Sequence, residues 1–340
     1  MEVLFGKTLD ELKQVATELG MPGYTAKQLS DWLYKKNIQS FNEMSNLSKA
    51  AREKLNANYL LGKSPFAEIK SSVDGTKKYL FNTTLHKYVE TAYIPDKERH
   101  TVCVSTQVGC KMGCLFCMTG KQGFQGNLTS GEILNQLKSI EEHDQITNIV
   151  YMGMGEPLDN LDAVLKSLEI LTADWGFAMS PRRITVSTIG IIPAMKTFLE
   201  SSEAHLAISL HSPFDNDRKM LMPIQQVYPL EEVLNEIRSW DFGRQRRVSF
   251  EYIMFRDLND TEKHVKGLVT ILQGIKCRIN LIRFHPIPDT PLDSTSQERI
   301  QLFKESLNAK GITTTIRASR GEDIYAACGL LSTKKRMQQR

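Results

Sequence analysis

Three cysteines stand close together in Cys110-Lys-Met-Gly-Cys114-Leu-Phe-Cys117, with three residues in the first gap and two in the second. Thiolates at this spacing can hold three irons of a 4Fe–4S cluster, which ordinarily takes four cysteine ligands. The fourth iron then keeps an open position, where the amino and carboxylate groups of S-adenosylmethionine can bind. One electron passed to the sulfonium breaks a C–S bond and yields a 5′-deoxyadenosyl radical, S-adenosylmethionine being a recognised radical cofactor. The competing reading is a zinc knuckle that borrows a distant fourth ligand. Zinc sites more often show C-x2-C pairs, repeated or followed by histidines, so the triplet favours the cluster.

Other segments carry residues suited to holding such a cofactor. In Met152-Gly153-Met154-Gly155-Glu156-Pro157 the glycines let backbone approach a ligand, and Glu156 can accept hydrogen bonds from an ammonium group. A tight turn explains the same glycines, but the segment falls one strand after the cysteine loop. Ser187 and Ser209-Leu210-His211 stand at the ends of two strand-like runs, where α/β barrels place ligand contacts; a helix cap or turn residue is the alternative for each. Asn280 and His285 lie on or just past a further strand, and a lone histidine is more often a structural hydrogen-bonder. Cys277 has no motif around it. Cys328 sits among small residues in Ala326-Ala327-Cys328-Gly329, and Cys103 lies two residues before Ser105. Inert buried thiols are the default for both.

These residues need a scaffold, and the chain supplies alternating signals for one. Thr8-x-x-Glu11 has the capping-box pattern and opens a short amphipathic helix through Leu9, Leu12, Ala16 and Leu19. Thr25-x-x-Gln28 repeats the pattern before Leu29, Trp32 and Leu33, and a third helix runs from Ser48 to Leu55. From Phe66 the pattern changes to strand-like runs flanking Asp74-Gly75, a hairpin signal, followed by Tyr88 to Ile94. Beyond them, strands at Thr101–Ser105, Asn148–Met152, Arg183–Thr188, Ala204–Leu210, Arg247–Met254 and Arg278–Phe284 alternate with helices near 130–143, 160–172, 191–200, 229–240, 260–273 and 295–309. Six such units argue for a parallel sheet with right-handed crossovers. Alternation alone does not separate an open sheet from an incomplete barrel. The cysteine motif follows the first strand at its C-terminal end, which favours a partial (β/α)6 TIM-type barrel, an α/β fold with a small N-terminal helical accessory domain. The expected divisions are 1–60, the helical accessory domain; 61–95, a small β extension; 96–320, the partial barrel; and 321–340, a C-terminal loop with Cys328 and a basic tail.

Composition sets outer bounds. The 340 residues are 41% hydrophobic and 24% charged, as in ordinary globular proteins with a real core. No apolar stretch is long enough to span a bilayer, and the first residues resemble neither a secretory signal nor a transit peptide. Six cysteines in so long a chain do not suggest a disulfide scaffold; an oxygen-labile cluster favours a reducing, cytoplasmic location. The net charge is +4, and Lys334, Lys335, Arg336 and Arg340 in the last ten residues account for all of it. Arg182-Arg183, Arg244-Gln-Arg246-Arg247 and the tail are local basic patches that can meet phosphate, although a solvated surface run is the default for each.

Taken together, Thr101-Val-Cys103-Val-Ser-Thr-Gln-Val-Gly-Cys110, Gly153-Met-Gly-Glu-Pro157, Ser187-Thr-Ile-Gly190, Ser209-Leu-His211 and Ala326-Ala-Cys328-Gly329 resemble the RlmN family of radical S-adenosylmethionine RNA methyltransferases. Phe116, before the last cysteine of the triplet, also recurs in radical S-adenosylmethionine enzymes. The resemblance covers nearly the whole chain. It implies methylation of C2 of an adenine in 23S rRNA, at the peptidyl-transferase centre, and of the adenine 3′ of the anticodon in tRNA. It implies Cys110, Cys114 and Cys117 as cluster ligands. Gly155, Glu156, Ser187, Ser209, Leu210, His211 and His285 become contacts to S-adenosylmethionine. Cys328 becomes the methyl carrier, Cys103 its redox partner, and Glu90, in Val89-Glu90-Thr91, the general base. The chain departs from many relatives at His285, where they have asparagine, and at Tyr325, where they have aspartate.

The implied chemistry accounts for two cysteines beyond the triplet. Adenine C2 lies between two ring nitrogens, is electron-poor, and does not attack a sulfonium methyl. The family uses two molecules of S-adenosylmethionine per turnover. One methylates the Cys328 thiolate by nucleophilic substitution; the radical from the other removes a hydrogen from that S-methyl group, and the carbon radical adds to C2. A base takes the C2 proton, and Cys103 closes a disulfide with Cys328 and releases the product. An unstacked adenine is expected, with the N-terminal helices and basic patches on the RNA backbone. A flavodoxin or ferredoxin as electron donor, a monomer and no membrane partner complete the expectation. Two rivals within radical chemistry are a Cfr-type enzyme acting at C8 of the same adenine and an activase that makes glycyl radicals. A non-enzymatic iron–sulfur or zinc RNA-binding module is the third.

Overall fold

The computed structural model describes residues 1–243 and 246–333. Arg244 and the basic tail of Lys334, Lys335, Arg336 and Arg340 lie outside the described residues. Ten strands share one sheet among those described: β1 (Glu68–Ser71), β2 (Lys77–Asn82), β3 (Tyr88–Asp96), β4 (Arg99–Cys103), β5 (Asn148–Tyr151), β6 (Ile184–Thr188), β7 (His205–Ser209), β8 (Val248–Met254), β9 (Cys277–Arg283) and β10 (Thr313–Arg317). Each pairs with its neighbours in sequence. The first four form an antiparallel meander, and β4 through β10 run parallel.

Two features differ from the reading of the sequence. The small β region is no separate sheet: β3 pairs with β4 from Ala92↔Cys103 to Asp96↔Arg99, so the meander extends the barrel wall. A seventh parallel strand, β10, follows the sixth helix. Its sequence, Thr-Thr-Thr-Ile-Arg, has one buried position in five, because only β9 flanks it, and so it lacks the apolar alternation that marks a strand.

The central strands do alternate. Val248, Phe250, Tyr252 and Met254 of β8 are buried against the helices, while Ser249 and Glu251 face the barrel interior. The same split separates Leu206 and Ile208 of β7 from His205. Between the strands run α4 (Ser130–Lys138), α5 (Leu161–Thr172), α6 (Ile192–Ser201), α7 (Leu230–Ser239), α8 (Glu262–Ile271) and α9 (Gln297–Ala309). In α7 the buried Leu230, Val233, Leu234 and Ile237 recur at helical spacing. Right-handed crossovers of this kind put helices outside and leave the inside free for polar groups. Arg246 is not a solvated member of its basic run. Its Nη1 and Nε donate to the carbonyls of Leu199 and Ala204 at 2.9 and 3.0 Å, near the end of α6.

The N-terminal helices are α1 (Leu9–Glu18), α2 (Thr25–Ser30) and α3 (Lys49–Asn58). The capping boxes at Thr8–Glu11 and Thr129–Glu132 both form. The one at Thr25–Gln28 does not. Tyr24 already has helical dihedrals and the Thr25 N–H donates to the Pro22 carbonyl at 2.9 Å, so Thr25 lies inside the helix and is buried. This unit shares one apolar core with the barrel. Tyr34 packs among Phe5, Trp175 and Phe177, with ring centroids 5.6–6.0 Å apart. Lys166 of α5 pairs with Glu11 at 2.5 Å.

Candidate active site

The cysteine loop leaves the C-terminal end of β4. Just before Cys110, Gly109 has φ +70°, and a Cβ there would stand 1.7 Å from the Gly123 carbonyl oxygen, so only glycine lets the loop fold back on the segment after Cys117. Cys110 and Cys114 are buried and Cys117 half-buried, in an apolar cluster with Met112, Phe116, Leu221, Phe255 and Phe284. The Phe116 ring meets His211 edge-on at 4.7 Å. Burial pushes the Cys110 thiol up to about 12 and Cys114 well above its ordinary range; a charge on Cys117 adds to both, and one on Cys110 adds to Cys114. Without metal the Cys110 and Cys114 thiols stay neutral, and ionising them in this apolar pocket is costly. Bound metal removes the problem, because a coordinating thiol is deprotonated outright. Beside them Arg218 is fully buried, and its Nη2 has no hydrogen-bond partner. An orphaned cation next to three thiols fits an anionic metal–sulfur group. Among the described residues no three His, Cys, Asp or Glu side chains converge on a single ion, as a tetrahedral zinc centre needs. Ligands of a cluster each take a different iron and need not converge.

The next strand supplies the carboxylate. Gly155 has φ +98°, and a Cβ on it would lie 2.5 Å from Gln107 Cβ. This close approach lets the Glu156 N–H donate to Gln107 Oε1 at 2.9 Å. Gln107 Nε2 in turn donates to Asn127 and Asp159 at 2.9 and 2.8 Å. Glu156 Oε1 accepts from the Leu158 N–H and Oε2 from the Ile189 N–H, both at 3.1 Å. Burial drives the Glu156 carboxyl up to about 7, against these bonds and one from Thr188. A buried carboxylate with backbone donors and no cation is suited to receive an ammonium group.

Farther round the barrel, Ser187 and Ser209 are half-buried, and neither hydroxyl makes a hydrogen bond among the described residues. His211 is buried in the left-handed region at φ 57°. Its Nδ1 accepts from the Ile253 N–H at 3.0 Å, and burial lowers the ring to about 3. His211 is therefore neutral and carries its proton on Nε2. Leu210 is buried, and its N–H donates to the Glu251 carbonyl at 2.9 Å. Asn280 is committed internally, to Glu251 at 2.7 Å and Thr315 at 2.7 Å.

A cavity of about 630 Å³ runs through the polar barrel interior, and it brings together Cys117, His285, Cys103 and Cys328. Cys103 and Cys328 are both free thiols. Burial pushes Cys103 up to about 12, a charge on Cys328 adds to this, and Arg317 opposes it. Arg317 stands at the end of β10, with Nη1 3.1 Å from Met152 Sδ and 3.9 Å from Glu251 Oε2. It is the cation shared by both thiols, held charged first by Cys328 and then by Glu251. His285 lies 3.6 Å from Glu322, and burial lowers its pKa.

Glu90 is not among the residues lining this cavity. It is buried on β3 under the C-terminal segment, where it pairs with Lys78 at 3.0 Å and accepts from the Ser332 N–H at 3.0 Å. Burial raises its pKa, and Lys78 offsets part of the rise. Gln107, Arg218 and Arg317 escaped the sequence reading. Arg218 stands in Asp-Asn-Asp-Arg-Lys and Arg317 in a threonine-rich run, both of which read as surface.

Comparison with known proteins agrees with this geometry. Residues 104–269 match the radical SAM superfamily, and residues 3–61 match the ribosomal RNA large subunit methyltransferase N-terminal domain. A Parabacteroides distasonis protein named "Probable dual-specificity RNA methyltransferase RlmN" is 56% identical, over 98% of this chain and 97% of that protein. The dual-specificity RNA methyltransferase RlmN of Syntrophus aciditrophicus is 42% identical, over 96% and 95%. The crystal structure of a radical SAM methyltransferase from Sphaerobacter thermophilus superposes with a TM-score of 0.92 at 38% identity, covering 97% of this chain and 99% of that one. With its cysteine triplet, its glycine–glutamate turn and its matching N-terminal unit, the chain belongs to the RlmN family of radical S-adenosylmethionine methyltransferases.

Proposed function

We infer that this chain is a radical S-adenosylmethionine RNA methyltransferase that places a methyl group on C2 of adenine in 23S rRNA and in tRNA. One observation carries the reading: a single cavity joins a cysteine of the triplet to two further free thiols that share one half-buried arginine. A cofactor-cleaving enzyme without a methyl carrier has no use for the second pair.

Cys110, Cys114 and Cys117 hold the cluster, which when bound supplies the electron that cleaves S-adenosylmethionine. Gly155 admits the cofactor's backbone-proximal end, and Glu156 binds its ammonium group. Ser187, Ser209, Leu210, His211 and His285 line its remaining length, with His211 offering a fixed Nε2 donor. Cys328 is the nucleophile that takes the first methyl group. Cys103 is held protonated chiefly by burial, and a charge on Cys328 would add to this. It then attacks the Cys328 sulfur to free the product. Glu90 takes the C2 proton, a task its raised pKa suits. The C-terminal segment must first release it from Ser332, and this couples RNA entry to exposure of the base. The N-terminal helices and Arg182-Arg183 meet the RNA backbone, a cytoplasmic flavodoxin or ferredoxin gives the electron, and the working unit is a monomer.

The deciding experiment is nucleoside mass spectrometry of rRNA and tRNA from a strain lacking this gene, complemented with the wild-type chain or with Cys328→Ala. The wild type should restore 2-methyladenosine in both RNAs and the variant in neither. Restoration of 8-methyladenosine instead would assign the Cfr-type reaction.

A further inference from the structure

The helix Asp215–Leu221 follows the end of β7 and leans on the cysteine loop, where the Leu115 N–H donates to the Leu221 carbonyl at 2.9 Å. Arg218 is buried on this helix with 0% exposure. Three of its donor positions are accounted for. Nη1 donates to the carbonyls of Ser209, at 2.9 Å, and Leu210; Nε donates to Gln225 Oε1 at 2.7 Å. Nη2 is buried and bonds to nothing. Among the described residues no carboxylate lies within ion-pair distance of the guanidinium. Asp215, the nearest acid by its influence, instead accepts from Gln225 Nε2 at 2.9 Å. The group that answers the charge most strongly is Cys114.

This arrangement is costly on its own terms. An unpaired buried charge destabilises the fold, and a buried donor without an acceptor adds to that. An arginine side chain stays charged in proteins. A cluster held by three thiolates is anionic in both redox states, and more so after reduction. It would supply both the missing acceptor and the missing counter-charge.

We propose that Arg218 is a positioning residue for the cluster: Nη2 donates to sulfur at the Cys114 corner, and the guanidinium charge favours the reduced state. The proposal rests on the 4Fe–4S reading of the triplet. Hydrogen bonds to sulfur and nearby charge are among the terms that set cluster potentials. Because Nη1 also holds the Ser209 and Leu210 carbonyls, one side chain joins the cluster to the strand end that contacts S-adenosylmethionine.

The test uses the full chain, reconstituted anaerobically, and EPR-monitored redox titration of wild type, Arg218→Lys and Arg218→Gln. At a fixed potential, Arg218→Gln should lower the reduced-to-oxidised ratio about tenfold, equivalent to 59 mV for one electron. Arg218→Lys keeps the charge and should stay within about twofold of wild type. In wild-type protein labelled with 15N-arginine, pulsed EPR of the reduced cluster should show a 15N coupling that Arg218→Lys abolishes. This measurement decides the matter if Arg218→Gln does not fold. A merely structural arginine would shift the melting temperature and leave ratio and coupling untouched. Full iron content with an unchanged ratio in Arg218→Gln, or no 15N coupling in wild type, overturns the proposal alone. A wild-type chain that binds no iron overturns the cluster reading and this proposal with it.

Discussion

The cysteine loop, residues 104–117, is held mainly by apolar packing, whereas the loop around Cys328 sets Ala327 and Leu330 into the same apolar cluster and adds exposed polar ties to it. Cys110, Cys114 and Phe116 sit in an apolar pocket, and the loop's backbone is pinned by Leu221 and by close glycine contacts. The Cys328 loop carries Tyr325 at 64% exposure and is tied by polar bonds to the β1–β2 hairpin. Asp323 accepts from Ser72 Oγ at 2.6 Å and the Val73 N–H at 3.3 Å, the Gly321 N–H donates to Asp74 at 2.9 Å, and Lys78 reaches the Tyr325 carbonyl at 3.2 Å. The Gly329 carbonyl accepts from the Met118 N–H at 2.8 Å, so the two loops touch near Cys117. Exposed hydrogen bonds open far more readily than a packed core. The contrast suits the work of each loop. Under the proposed roles, the cluster-ligand loop must not move, while the methyl-carrier loop must meet a cofactor, an RNA base and Cys103 in turn.

The largest effect tests the rigid side. Cys114→Ala should reduce bound iron and reductive cleavage of S-adenosylmethionine to background while leaving Cys328 intact, as checked by iron analysis and deoxyadenosine release. Full cleavage by this variant would falsify the cluster assignment. Next comes the Cys328 side. Cys328→Ala should keep its iron and its RNA-independent cofactor cleavage but yield no methylated RNA and no covalent adduct. Cys103→Ala should accumulate a protein–RNA conjugate through Cys328, visible as a shifted band on a denaturing gel. Normal turnover by Cys103→Ala would remove the disulfide step and with it the need for the loop to reach Cys103, which requires Cα atoms about 4.4–6.8 Å apart.

A smaller effect sharpens the account of the rigid side. The Glu156 carboxyl is raised, so its neutral form stabilises the empty protein at low pH, and that contribution is lost as pH rises through about 7. Binding of an ammonium group needs the ionised form. Affinity for S-adenosylmethionine should therefore rise between about pH 5.5 and 7.5, and Glu156→Gln should flatten the profile and cost about tenfold at the upper end; calorimetry on the wild type and variant checks this. An equal slope in both proteins would move the ammonium elsewhere. The smallest effect concerns the loop around Cys328. Tyr325 occupies the left-handed region at φ 55°, which aspartate tolerates better than tyrosine. Tyr325→Asp should slow amide exchange across residues 321–330 about fivefold, near 1 kcal/mol. Unchanged exchange would mean that the hairpin bonds alone set the loop's stability.

The cysteine triplet, the glycine–glutamate turn and the six βα units are legible in the sequence because each is local: the ligand spacing, the tight turn and the strand period all lie within a few residues. The family resemblance joins Cys103 and Cys328 by role, although 224 intervening residues hide that they share a cavity. Tertiary structure alone decided three things. It made β10 a strand, since an edge strand needs only one neighbour and little apolar sequence. It turned Arg246 from a surface charge into a partner for backbone carbonyls. And it buried Arg218 and turned Arg317 toward the barrel cavity, because a barrel turns alternate residues inward and folds a helix against a loop that is about a hundred positions away. Local spacing dictates which groups can do chemistry. Which cation faces which thiol depends on contacts between distant segments, and no local pattern carries them.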